Sequence, residues 1–196
     1  MTQSSQTLPD DYQPVYVINL AKNKLLAVVL NLAALVVVLL SFWLMWIYTK
    51  WIHPDLSRIS ISVKFGLPDI LFLLFLIIVN LVVHELIHGV FFWLITHSKP
   101  VFGLSLSYAF AAAPGWYIPK RLYWIIGLAP LILIGLAGLL IIAIGPPSWI
   151  VPALVVTGFN TGGAVGDIWI IYRLIRTSST CLVNDTGHTV SFFQPK

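Results

Sequence analysis

Charge is what this chain has least of. Only 9% of its 196 residues are Asp, Glu, Lys or Arg, against about a quarter in ordinary soluble domains. Among the seven acidic residues a single one, Glu85, is a glutamate. So sparse a charge excludes a water-soluble globular domain. A net charge of +4 with no basic cluster also gives no footing for nucleic acid. Cysteine is nearly absent: Cys181 stands alone, which rules out an intramolecular disulfide and reads as an ordinary residue of a polar C-terminal segment. The first 24 residues are polar, and the apolar run that follows is too long for the core of a cleavable leader.

What fills the chain instead is hydrocarbon. Hydrophobic residues make up 59% of it, in runs of a length that spans a bilayer. The runs predict an all-α membrane protein with about four spans, at 25–48, 67–96, 122–144 and 149–175. Trp43, Trp46, Tyr48 and Trp51 form an aromatic belt at the far end of the first. Residues 99–121 are too polar and too rich in Pro and Gly to span, and Gly145-Pro146-Pro147 makes a tight turn. The expected organisation is an N-terminal tail (1–24), a transmembrane domain (25–176) and a C-terminal tail (177–196). Eight of the 11 Lys and Arg residues fall in the N-terminal tail, the 99–121 connection and the C-terminal end from Arg173 onward, and three in 49–66. The positive-inside rule therefore places both termini in the cytoplasm, with membrane lipid as the surrounding partner.

Against that background the segment His84-Glu85-Leu86-Ile87-His88 is out of place. An ionisable group in the middle of a span costs about 2.5 to 3.5 kcal/mol on insertion scales, so its presence argues for chemistry. On a helix, positions i and i+4 share a face, so both imidazoles can reach one Zn2+ ion while Glu85 serves as general base. Catalytic zinc usually takes a third protein ligand. Asp69 lies at the opposite end of its span and His97 on another side of the helix, which leaves Asp167 in the fourth run as the strongest candidate. Its alternative is a span-terminal carboxylate close to Arg173. Two imidazoles, Asp167, Glu85 and a divalent cation sum to about zero charge, which a low-dielectric setting favours.

Asn80, one turn before His84, and Asn160, close to the face of Asp167, are candidates to hold a ligand or a substrate carbonyl; each could equally make an interhelical hydrogen bond. Gly158, Gly162 and Gly166 repeat at four-residue spacing, which predicts close approach of the fourth span to the second. Residues Val101 to Phe110 alternate like a strand, and Pro114-Gly115 is a turn signal, so a short membrane-edge hairpin between the second and third spans is expected to pair with an extended substrate. Asp185-Thr186-Gly187 reads as a turn.

These residues resemble a known group. HELIH within a span, Leu128-Ala129-Pro130-Leu131 in the third, and Asn160 and Asp167 in the fourth are similar to the site-2 protease class of intramembrane zinc metallopeptidases. Val83 to Gly89, Ala113-Pro114-Gly115, Gly166-Asp167 and Asp185-Thr186-Gly187 look more closely like a bacterial family of zincin peptidases. The resemblance implies a metallopeptidase of the cytoplasmic membrane with His84, His88 and Asp167 as zinc ligands, Glu85 as base, and a membrane-protein or peptide substrate. The wider class has Asn-x-x-Pro leading to Leu-Asp-Gly, whereas here Thr161-Gly162-Gly163 follows Asn160, and Gly166 and Ile168 flank Asp167. A metal-binding or transport protein using the same ligands without hydrolysis is the alternative.

Overall fold

A computed structural model of the chain describes residues 3–19, 22–55, 66–105 and 108–196. The fold is mostly helical, with five α-helices, α1 (Lys24–Ile52), α2 (Leu67–Thr96), α3 (Lys120–Ile144), α4 (Ile150–Gly163) and α5 (Val165–Ile175), and six short strands among the described residues. By length and composition α1, α2 and α3 can each cross a membrane, and α4 with α5 would make a fourth span, bent by 40°.

The helix ends follow from local chemistry. Asn23 Oδ1 accepts the Leu26 N–H at 3.0 Å, satisfying one of the orphan donors of α1. Asp69 Oδ2 accepts the Gly66 N–H at 2.9 Å, and Pro68 sits in the first turn of α2, where a missing N–H costs nothing. His97, exposed just past the end of α2, takes a left-handed φ of 54°, and its N–H closes on Trp93 O at 2.7 Å. The α3 span carries Pro130 in its interior. The fourth run, expected as one helix, breaks at Ala164 between α4 and α5. Gly162 and Gly163 directly before the break are poor helix formers and explain why it falls there.

The chain forms two compact units, Met1–Leu32 with Glu85–Pro130 and Gly166–Lys196, and Ala33–His84 with Leu131–Val165. In the first, the segments expected as tails pair with each other. Strands β1 (Tyr12–Asn19), β6 (Thr189–Pro195), β5 (Leu182–Asp185) and β4 (Ile118–Pro119) form an antiparallel sheet in the order β1-β6-β5-β4. The register runs Tyr12↔Pro195, Leu182↔Phe193 and Ile118↔Val183. Its inward side chains Ile118, Val183 and Phe192 pack with Phe92, Ile126 and Leu174 from the helices. Cys181, expected as a plain tail residue, is buried in this core, where desolvation pushes its thiol pKa up. The segments 12–19 and 189–195 are short and each contains proline, so only pairing between them reveals them as strands.

A separate hairpin joins β2 (Val101–Leu104) to β3 (Ala109–Ala112) between α2 and α3. The single strand expected over 101–110 is therefore two, closed by the Ser105 N–H on Tyr108 O at 2.8 Å. Leu106 and Ser107 of that expectation, and Arg58 and Lys64 of the charge count, lie outside the described residues. Pro114-Gly115 does make a turn. Gly115 has φ 77°, and Trp116 N–H bonds Ala113 O at 3.2 Å, the geometry that needs glycine at the third position.

The second unit packs Met45, Ile142 and Ala153, and the His53 ring bonds Ile142 O at 2.6 Å. The glycines of α4 approach α1 rather than α2. A Cβ on Gly158 would lie 2.9 Å from the Phe42 ring, and one on Gly162 would overlap Val38 and stand 3.1 Å from Ala34 O; a Cβ on Gly166 would meet nothing within 4 Å. The small-residue spacing predicts a close contact but carries no information on the partner. Gly162→Val should therefore destabilise the protein by about 1 to 3 kcal/mol through overpacking. Gly163→Ala, where a Cβ meets nothing within 4 Å, should be neutral. Thermal unfolding in detergent checks the pair, and equal midpoints for the two variants would remove the α1–α4 contact from the account.

Candidate metal centre

Glu85, His88 and Asp167 belong to the first unit. His88, buried on α2, bonds through Nδ1 to Ile126 O at 2.9 Å. The backbone explains why that carbonyl is available. In a regular helix the N–H of residue 130 would bond to it, and residue 130 is a proline with no N–H to give. His88 Nε2, on the other side of the ring, lies 3.3 Å from Asp167 Oδ2. Asp167 is in the first turn of α5. The break at Ala164 thus places a helix N-terminus, with its positive dipole end and free N–H groups, beneath an otherwise costly carboxylate.

In the second unit His84 is buried and its Nδ1 faces Asn160 Oδ1 at 2.9 Å, with Asn160 fully buried. Asn80 is also buried, but its Oδ1 has no hydrogen-bond partner, so the expected bond between that oxygen and His84 is not made. The unit boundary falls between His84 and Glu85, inside the unbroken helix α2, so the helix itself carries His84 one turn from His88.

Both imidazoles are held in the same way. An oxygen acceptor on Nδ1 fixes the proton there and leaves the Nε2 lone pair for another partner, the arrangement found around metal-bound histidines. One ligand atom from each of His84, His88 and Asp167 lies within 4.8 Å of the others, the only such His/Cys/Asp/Glu group of three or more among the described residues. Two neutral imidazoles and a carboxylate form a donor set that suits zinc. Asp69 and His97 are not part of it.

Beside these residues lies a pair that sequence reading passes over. Tyr123 on α3 donates from its hydroxyl to Asp185 Oδ2 at 2.6 Å, and the Gly187 N–H bonds Asp185 Oδ1 at 2.8 Å. Asp185-Thr186-Gly187 is the expected turn, with Gly187 at φ 84°, but Asp185 is buried and also pins the sheet to α3 three residues before Ile126. The signal available in the sequence was a carboxylate between strand-forming residues.

His84 and His88 on α2, with Asp167 on α5, could hold a metal ion. The chain belongs to the zincin peptidases: the family model described as "Putative zincin peptidase" matches residues 77–182, more than half its length. Membership points to a metallopeptidase and implies zinc as the metal. No curated protein and no solved structure matches the chain.

Burial raises the Asp185 carboxyl pKa above its ordinary value, only partly offset by the bonds from Tyr123 and Gly187, while Asp167 adds to the rise. Between about pH 4, where the unfolded carboxyl titrates, and the higher pH at which the buried one does, the folded state holds more protons. Stability therefore falls as pH rises through that window. Asp185→Asn, still able to accept from Tyr123, should flatten this dependence in thermal unfolding between pH 4.5 and 7; a slope identical to wild type would show that Asp185 does not titrate there.

Proposed function

We propose that the protein is an intramembrane zinc metallopeptidase that hydrolyses peptide bonds of membrane-embedded or membrane-proximal substrates, with both termini in the cytoplasm and an overall likeness to the site-2 protease class. The observation that carries this reading is the convergence of His84, His88 and Asp167 to within 4.8 Å on either side of the Glu85 turn. A membrane setting is supported by the outer faces of α1 and α2, where Val36, Leu39 and Ile78 are each more than 60% exposed. Such continuous apolar surface suits lipid and is a liability in water.

Bound zinc would polarise the scissile carbonyl and bring the pKa of its water toward about 7. Glu85 accepts the proton released as the water oxygen bonds to the carbonyl carbon. It then delivers that proton to the leaving nitrogen as the C–N bond breaks. Asn160 and the Ile126 carbonyl, each at an Nδ1, would orient the two rings so that Nε2 is the nitrogen offered to the metal. Asp167 supplies the negative charge that balances the site.

A substrate helix in lipid ties up its own carbonyls, so it must unwind before attack, and the unwound strand needs a backbone partner. Strand β2 fits that need. It pairs with β3 on one side in a two-stranded sheet, and Val101, Phe102 and Leu104 are exposed along it. An extended substrate would add to its free edge.

Glu85→Gln should retain about one zinc per chain and lower cleavage of a reconstituted membrane peptide by about 10² to 10⁴-fold. Zinc retention with undiminished cleavage would remove Glu85 from the reaction. Zinc binding without cleavage in wild type would favour ion handling. Leu104→Pro should keep zinc and lose cleavage; unchanged turnover would reject strand addition.

A further inference from the structure

At the end of α5, away from His88 and Asp167, the first unit contains a pocket of about 240 Å³ lined in part by Tyr16, Arg173, Arg176, Thr177 and Gln194. We propose that this pocket binds a phosphate-bearing anion, the phosphodiester of an acidic lipid headgroup being the form it would meet at a membrane surface.

Its two guanidinium groups are held in place by aromatic rings. Arg173 lies 4.0 Å above the Tyr16 ring and 5.8 Å from that of Trp169; Arg176 lies 4.7 Å from the Tyr172 ring and also donates to the Tyr172 hydroxyl. Contact with the rings restrains each guanidinium, and a guanidinium has N–H groups beyond those used here with which to meet two oxygens of a phosphate. Among the described residues neither arginine has a carboxylate within ion-pair distance. Two ordered, uncompensated guanidiniums lining one pocket are an unusual arrangement in a chain with so few charges.

One feature of the backbone opposes an anion here. The C-terminus of α5 presents carbonyl oxygens and about half a negative charge. Lys120 answers it: Nζ donates to Ile175 O at 3.2 Å and to Thr177 O at 2.7 Å. With Lys120 on those carbonyls, the two arginines that line the pocket leave it positive. Its volume of about 240 Å³ is ample for a phosphate group.

The lipid source rests on the membrane reading proposed above, whereas the anion site itself does not, nor does it rest on the zinc centre. The test is native mass spectrometry of the full-length chain titrated with phosphatidylglycerol in detergent, with inorganic phosphate as a separate arm. Arg173→Gln/Arg176→Gln should weaken phosphatidylglycerol binding by at least about tenfold, the loss of charge-assisted hydrogen bonds. Arg173→Lys/Arg176→Lys, which keeps charge but loses the fork, should weaken it less. Lys50→Gln, a charge removed elsewhere, should leave binding unchanged. Arginine-dependent binding of phosphate without preference for the lipid would support the anion site with free phosphate as its source. Equal phosphatidylglycerol binding by wild type and both arginine variants, or an equal loss in Lys50→Gln, would overturn the proposal.

Discussion

An imidazole offers a metal only one nitrogen, and the partner of the other nitrogen decides which one. That constraint organises this molecule. His84 Nδ1 is held by Asn160 on α4 and His88 Nδ1 by the Ile126 carbonyl on α3, which leaves Nε2 as the nitrogen each ring would offer to a metal. Neither acceptor is incidental. Asn160 is fully buried, and Ile126 O stands where Pro130 removes the usual intrahelical donor. The break between α4 and α5 gives Asp167 a helix N-terminus, and the Tyr123–Asp185 bond fixes α3 against the sheet. Four features that break the regularity of apolar helices thus serve one small polar centre.

The energetic reason for such concentration is the setting. In a low-dielectric bundle each unpaired polar group costs several times what it would in water, so polar residues persist where they satisfy one another. Asn80 shows the other side of this rule. It is buried one turn from His84 with its oxygen unpartnered.

How much was legible beforehand depended on whether the information was local. HELIH, the bounds of α2, and Pro114-Gly115 as a turn depend on spacing and backbone preference within a few residues, and the structure places them as read. Asp167 was reachable because a lone carboxylate in an apolar run has few uses. The glycine spacing on α4 announced a close contact but not that α1 would supply it. Pairing of residues 12–19 with 189–195 was invisible, since each is a weak strand that gains its partner only from the far end of the chain. Pro130 was noticed as part of a pattern, while its use, releasing a carbonyl for a histidine, required knowing what lay opposite.

Zinc K-edge X-ray absorption of the detergent-purified protein tests the central claim most directly. The account predicts a low-coordinate site with two imidazole nitrogens at about 2.0 to 2.1 Å and carboxylate oxygen at about 2.0 to 2.2 Å. Well-folded protein that holds no zinc, or zinc whose first shell lacks the two imidazoles, would contradict it.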